Sequence, residues 1–333
     1  MSAGDRTILA IDAGSTGTRC IVASLVGQVL GHGTGGPANF LINGWDATRG
    51  SIQQAINRAM QRAAIRNDQI EIVLGGCAGL GPSGPGQSEM ERIFAELVPG
   101  AARVRATGDM VTAFWGALRT PIGVVVSAGG HGSVCFGRNV TGETCEVGGW
   151  GPIMGDEGSA HDLGIQALHA VARAADGRGD ATALTEMLLR AFHVSNEVEL
   201  EIRLQSEEIA REHIADLAVH VAAAADLGDA VALQILRQAS KELAIAALTA
   251  LRHLNLISVP CSVSFSGSIF EAGRPLIDPF RRAIRDGSPQ STVEAPLLPP
   301  IGGAFRLGLQ AVGFAMDEPI IHHLARGLVE AGF

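Results

Sequence analysis

The first third of the chain alternates short apolar runs with turns rich in small residues. Residues 8–11 are a buried-strand run, 20–25 a second, and 28–30 a third, with a turn at Gly27 between the last two. Next comes a helical pattern in which Asp46 is the expected cap and Ile52, Ala55, Ile56, Ala59, Met60 and Ala63 share one face. A strand at 71–74 runs into Gly75, Gly76, Cys77, Ala78 and Gly79; after a further helix and a strand at 103–107, Gly108 and Asp109 open a helix through Leu118.

The pattern then restarts. A strand at 122–126 leads to a glycine turn at 127–133, a strand at 134–137, a turn at 139–142 and a strand at 144–147. A helix begins near Ser159, with Leu163, Ala167, Leu168 and Val171 inward. Asp12 and Ser127 head the two equivalent loops. Such a duplication predicts an α/β protein of two similar lobes facing each other across a cleft. The expected division is 1–118, then 119–315 with a helical insertion at about 180–255, and a last segment, 316–333, packing back on the first lobe.

Composition narrows the chemistry. Of 333 residues, 47% are apolar and 18% charged, and the net charge is −9, which argues against nucleic acid as the main partner. Lys241 is the one lysine among 25 cationic side chains, and there is no tyrosine. A Walker A loop, a kinase-type strand lysine and a tyrosine nucleophile are thereby excluded. Five scattered cysteines without a C-x-x-C read as reduced thiols, and ten histidines show no zinc spacing. With neither a secretory pattern at the N-terminus nor an apolar run of 18 residues, the expectation is a cytoplasmic protein away from membranes.

Two Gly/Ser/Thr turns after apolar strands suit phosphate, because glycine admits an anion close to the backbone and successive N–H groups form a concave site. Ser15, Thr16 and Thr18 add hydroxyls, and Asp12 at the strand end suits a magnesium ion held through water. Ordinary turns of small residues are the competing explanation. The G-x-G-x-x-G at 31–36 is set aside as a dinucleotide fingerprint, since Pro37 follows and the segment reads as a loop closing a hairpin. Residues 148–159 place a Trp and two acids among glycines just before a helix. Asp156 there is either a helix cap or, with the exposed aromatic face, a holder of a polar sugar.

The segments 12–18, 36–39, 108–109, 132–133 and 148–159 resemble the N-acetylglucosamine kinases of the BadF/BadG/BcrA/BcrD ATPase family, in the actin, heat-shock chaperone and sugar-kinase superfold. The resemblance extends over about 7–312 and implies two actin-like (ribonuclease H-like) lobes around a nucleotide and sugar cleft. It implies phosphate contacts at Asp12, Gly14, Ser15, Thr16, Thr18, Gly130, His131, Gly132 and Ser133, and nucleotide contacts at Gly267, Ser268, Gly302 and Gly303. Sugar contacts fall on Asn39, Gly79, Gly149, Trp150 and Asp156, and Asp109 takes the place of the general base, against the alternative of a helix cap. His131 departs from the family's usual threonine, which bears on ATP affinity or sugar preference. The implied activity is transfer of a phosphoryl group from ATP, with Mg²⁺, to the C6 hydroxyl of an amino sugar. Glucosamine and muramic-acid-type kinases, an activator ATPase and a non-catalytic sugar-binding regulator are the rivals. Base rates for assemblies favour a homodimer.

Overall fold

The computed structural model describes residues 6–81, 86–130, 132–206 and 209–333. In chain order they form β1 (Thr7–Ala13), β2 (Thr18–Ser24), β3 (Val29–Gly35), α1 (Phe40–Ala63), β4 (Ile70–Cys77), α2 (Gln87–Leu97), β5 (Val104–Gly108) and α3 (Asp109–Ala117). Then come β6 (Gly123–Gly129), β7 (Gly132–Arg138), β8 (Thr144–Gly148), α4 (Ala160–Ala175), α5 (Leu184–Ala191), α6 (Glu197–Ser206), α7 (Arg211–Asp216), α8 (Ala218–Asp226) and α9 (Ala230–His253). The chain closes with β9 (Cys261–Ser266), α10 (Arg274–Gly287), β10 (Ser291–Val293), α11 (Pro300–Ala311) and α12 (Glu318–Glu330). Among the described residues no single helix is long and apolar enough to cross a membrane.

Two compact units result, one joining Met1–Pro121 to Ala295–Phe333 and the other comprising Ile122–Glu294. Each is built on its own five-stranded sheet, in the orders β3-β2-β1-β4-β5 and β10-β9-β6-β7-β8. In both, the unit's first strand is central, an antiparallel hairpin lies on one side of it, and two parallel strands lie on the other. The duplication read from the sequence is thus a duplication of topology.

The division differs from the expected one at its far end. The chain rejoins the first unit at Ala295, not near 316. The reason is α11: Ile301, Ala304, Phe305 and Leu309 are buried with Ile8, Ala10, Ile72 and Leu74 on one face of the first sheet, and α12 adds Leu324 and Leu328 to that cluster. The other face packs against α1 and α2 through Ile52, Ala55, Ala59, Met90 and Phe94. Both faces of this sheet are therefore covered, as its run of buried strand residues requires.

Residues 31–36 correct another expectation. All but Gly36 are strand, not loop; Gly31, Gly33 and Gly35 alternate within β3. A Cβ on each would lie 2.2 Å from Ala59 O, 2.2 Å from Ala55 O and 2.0 Å from Ser51 O of α1. Two strand residues advance about 6.7 Å and four helical residues about 6 Å, so the glycines keep step with one helix face turn by turn. The intervening carbonyls of β3, at the sheet edge, are taken by α1 side chains: Arg58 donates to Thr34 O and Arg62 to His32 O, both at 2.8 Å. These side chains shield the edge from pairing with another strand.

The helix itself begins earlier than expected. Asn39, not Asp46, is its cap: Asn39 Oδ1 accepts from Leu41 N at 3.1 Å. A break at Gly44 (φ 75°, ψ 167°) separates the first turn from the long amphipathic stretch.

This geometry predicts opposite effects for two substitutions one helix–strand layer apart. Gly33→Ala forces β3 off α1 and should lower stability by roughly 1–3 kcal/mol. Gly50→Ala, in open space on α1, should raise it by about 0.5–1 kcal/mol. Denaturant midpoints of the two variants against the parent check both signs.

Candidate functional site

The carboxyl ends of the parallel strands gather the chemistry of the first unit, as is general for such sheets. Ala13 of β1 pairs with Cys77 of β4, which pairs with Gly108 of β5. Asp12 therefore stands just before this row and Asp109 just after it. The hairpin loop of residues 14–17 is closed by Gly14 N donating to Gly17 O at 3.0 Å, and Ala38 N donates to Gly14 O at 3.0 Å. Thr16 is exposed on this loop and Ser15 is half-buried.

Asp12 is buried, and Arg19, directly across the hairpin, approaches its Oδ2 at 3.4 Å. Burial raises its carboxyl to about 6; Arg19 opposes the rise, and the charge of Asp109 adds to it. The carboxyl of Asp109 is also raised, chiefly by burial, although Met110 N donates to its Oδ1 at 2.9 Å. Asp109 occupies the first turn of α3, whose cap position is Gly108. The acid thus accepts a first-turn N–H and still sits beside Asp12. Burial and these two carboxylates together push the Cys77 thiol far up, which leaves it a neutral packing group.

Asn39 divides its amide between two tasks, capping α1 through Oδ1 and donating from Nδ2 to Ser15 Oγ at 2.9 Å. Gly79 is at φ +86°, and a Cβ there would lie 2.8 Å from Asn39 Oδ1. The first loop, Asn39 and Gly79 form one cluster. Thr18 does not join it as a donor to solvent: its hydroxyl is buried and donates to Gly36 O at 2.8 Å, tying β2 to the end of β3.

In the second unit the equivalent hairpin is tighter, with Gly129 paired to Gly132. Ser127, expected in the loop, lies within β6, because the ladder continues through Ala128 and Ser133. Gly130 lies in the turn and Gly132 opens β7, and His131 lies outside the described residues. Ser133 Oγ donates to Glu157 O at 2.7 Å, so its proton is committed to the 148–159 loop. Gly267, at φ +100°, lies flush on β6, where a Cβ would be 2.2 Å from Ala128 O; Ser268 Oγ is 3.5 Å from the Cβ position of Gly129. These residues cluster at the carboxyl ends of β6 and β9.

Asp156 is a buried acid of this unit; its backbone is at φ 64° and its carboxylate is ion-paired with Arg211 at 2.8 Å. Its carboxylate lies against Gly132, 2.8 Å from where a Cβ would be. The helix-cap alternative for Asp156 fails: Ser159 caps α4, accepting from Asp162 N, and Asp162 returns a bond from Gly158 N. Gly149 N donates to Ser133 O at 2.9 Å, while the neighbouring Trp150 indole is 70% exposed.

Gly302 and Gly303 lie in the first unit. Both are buried in α11, and a Cβ on Gly303 would lie 1.8 Å from Thr112 O of α3. Gly303 is thus a helix-crossing glycine of the first unit, while a Cβ on Gly302 would lie 2.7 Å from Leu298 Cβ. Conversely, sequence reasoning missed Arg19 and Arg211. Arg19 was readable only from hairpin register; Arg211 lies 55 residues from Asp156 in the helical insertion, with no local signal.

Among the described residues no group of three or more His, Cys, Asp or Glu side chains is gathered to hold a metal alone. One buried carboxylate beside a second suits a hard cation that brings the rest of its ligands as phosphate and water; Asp12 meets that requirement.

Comparison with known proteins agrees with this architecture. An N-acetylmuramic acid/N-acetylglucosamine kinase of Clostridium acetobutylicum is 25% identical over 85% of this chain and 92% of its own length. An N-acetyl-D-glucosamine kinase of Dictyostelium discoideum is 28% identical over 58% of this chain and 62% of its own length. A solved structure from Chromobacterium violaceum, provisionally named an N-acetylglucosamine kinase, superposes with a TM-score of 0.70 at 27% identity, covering 92% of this chain and 99% of its own. The BadF/BadG/BcrA/BcrD ATPase family model matches residues 9–305, and this chain belongs to that family.

Proposed function

We propose that the protein is an ATP-dependent amino-sugar kinase that phosphorylates the C6 hydroxyl, with N-acetylglucosamine as its leading substrate. The observation that carries the reading is the pair of carboxylates, buried Asp12 and half-buried Asp109, at one sheet end beside a glycine-closed hairpin. Family membership supplies ATP binding, and the names of the relatives point to the acceptor. The Clostridium relative acts, by its name, on N-acetylmuramic acid as well, which favours that sugar as the second substrate to assay.

Phosphoryl transfer asks the protein for positioning and charge balance more than for covalent help. In this reading Asp109 accepts the proton of the C6 hydroxyl as its oxygen bonds to the γ-phosphorus, and ADP departs with the electrons of the broken P–O bond. A carboxyl raised by burial is a better base for that proton than an exposed one. Asn39 and Gly79 would orient the sugar in the first unit, and Gly149, Trp150 and Asp156 in the second. The loop at Gly14, Ser15 and Thr16 would face the transferred phosphoryl group. Gly130, Gly132, Ser133, Gly267 and Ser268 would receive the nucleotide, Ser133 as an acceptor or through its backbone. Asp12 would hold Mg²⁺ through water; when bound, the metal supplies positive charge to the β- and γ-phosphate oxygens.

Three outcomes test this assignment. Asp109→Asn should leave sugar binding within about tenfold while lowering kcat by at least about 10²-fold, measured as sugar-dependent ADP release. Turnover near the parental rate would remove Asp109 from the base role. Trp150→Ala should raise the sugar KM and leave the ATP KM unchanged.

The third outcome concerns pH. Asp12 titrates near 6 in the folded chain and near 4 when unfolded, so between those values the native state holds the extra proton. Stability from this group is therefore present at low pH and lost as pH rises through 6. Asp12→Asn should thus stabilise the protein at pH 8, on the order of 2 kcal/mol, with the gain vanishing below about pH 4. Thermal unfolding across that range reads the sign, and an Asn variant less stable than the parent at pH 8 would refute it.

A further inference from the structure

Within the second unit an acid lies directly behind the turn to which the nucleotide is assigned. The ladder closes at the Gly129–Gly132 pair, and Gly132 stands at φ +148°. A Cβ there would lie 2.8 Å from Oδ2, 2.9 Å from Cγ and 3.0 Å from Oδ1 of Asp156, so the carboxylate fills the place of the missing side chain. The strand after the turn is tied to the same segment, since Ser133 Oγ donates to Glu157 O at 2.7 Å. Such a turn attracts phosphate through its backbone N–H groups. A bare carboxylate packed against it would oppose that attraction, and the Asp156 side chain, 4% exposed, has little water to screen it.

Among the described residues Arg211 is the cation on this carboxylate. Its Nη2 meets Asp156 Oδ2 at 2.8 Å, and its side chain is 27% exposed. Arg211 opens α7, and two close approaches seat that helix. A Cβ on Gly164 of α4 would lie 1.9 Å from Ile214 O, and Ala215 Cβ is 3.9 Å from the Cβ position of Gly130. The helix thus rests on α4 and beside the turn. Neighbouring acids are placed otherwise: Asp162 accepts from Gly158 N at the start of α4, and the Glu157 side chain is exposed. A contrast stands on α5, where Arg190 and Glu186 pair at 2.8 Å with side chains 80% and 78% exposed. Solvated pairs of that kind do little, whereas a buried acid stripped of its partner keeps an uncompensated charge.

We propose that Arg211 is a positioning residue for the nucleotide: it holds the Asp156 carboxylate behind the turn and cancels its charge, so that the turn can receive phosphate. The inference rests on the nucleotide half of the kinase reading and deepens it. Arg211 then matters to the phosphates and not to the nucleoside, and only while residue 156 is an acid. A merely structural pair would behave differently, since its loss would weaken every ligand of the unit alike.

The test is calorimetric binding of Mg-ATP, Mg-ADP and adenosine, without sugar. It compares the parent with Arg211→Gln, Arg211→Lys, the double variant Arg211→Gln/Asp156→Asn, and Arg190→Gln. Arg211→Gln should weaken both nucleotides about tenfold and adenosine less than about twofold. Arg211→Lys, which keeps the charge, should stay within about threefold of the parent for all three. The double variant removes the acid as well and should return both nucleotides to within about threefold of the parent. Arg190→Gln takes a charge from the exposed pair and should change nothing. Equal weakening of nucleotides and adenosine by Arg211→Gln, no weakening, or a double variant that binds nucleotides no better than Arg211→Gln would overturn the proposal. Should Arg211→Gln fail to fold, the double variant decides: parental nucleotide affinity supports the proposal, and tenfold weaker binding overturns it. Binding needs no acceptor sugar, so the expected pattern supports the proposal even if no amino sugar is phosphorylated; that second result would count against the sugar-kinase reading alone.

Discussion

Thr112 is wedged between two glycines, and the geometry of the first unit is set around it. On one side a Cβ at Gly76 of β4 would lie 2.1 Å from its Oγ1; on the other a Cβ at Gly303 of α11 would lie 1.8 Å from its carbonyl oxygen. Its hydroxyl donates to Asp109 O at 2.8 Å. With α3 pressed against both the sheet and α11, the first turn of α3 has one height above the strand ends, and Asp109 is on that turn. Arg306 secures the far end of the same helix, donating to the carbonyls of Trp115, Leu118 and Arg119. The position of an acid is thereby set by absent methyl groups and one buried guanidinium, a more rigid arrangement than side-chain packing alone provides.

The two units apply the same topology to different ends. Each collects its polar residues at the carboxyl end of a central strand and the parallel strand beside it. The first unit uses a four-residue loop and leaves two carboxylates, buried Asp12 and half-buried Asp109, both raised from the ordinary carboxylate range. The second has a tighter hairpin, closed at the Gly129–Gly132 pair, and its acid, Asp156, is ion-paired with Arg211 from the helical insertion. One end is electrostatically unfinished and the other is balanced. That asymmetry is what a duplicated scaffold needs if its halves are to divide labour between a reacting group and a bound one.

Much of this was legible in the sequence, and the reason lies in the type of signal. The strands, the repeat and the helix faces follow from apolar spacing, which burial enforces directly. Asp12, Asp109 and Asp156 stand out because acids next to glycine turns are visible one residue at a time. The errors share a cause. Residues 31–36 read as a loop because glycine at 31, 33 and 35 serves helix contact and not turning, a use that Gly303 shares. A glycine's purpose depends on what lies opposite its missing side chain, and the partner is distant in sequence: Ala55 for Gly33, Thr112 for Gly303. Thr18 and Ser133 likewise carry hydroxyls suited to phosphate, yet each gives its proton to a carbonyl, at Gly36 and Glu157. Arg211 had no local cue at all.

The seal on β3 has a consequence for how the chain is made. Arg58 and Arg62 cover the edge carbonyls only once α1 has docked, and docking requires Gly31, Gly33 and Gly35 to seat against the helix. Until then a nascent or refolding chain presents a bare strand rich in glycine, with weak register of its own. The hazard is therefore set by the order of assembly: a chain whose helix lags behind its hairpin is sticky for that interval, however well insulated the finished molecule is.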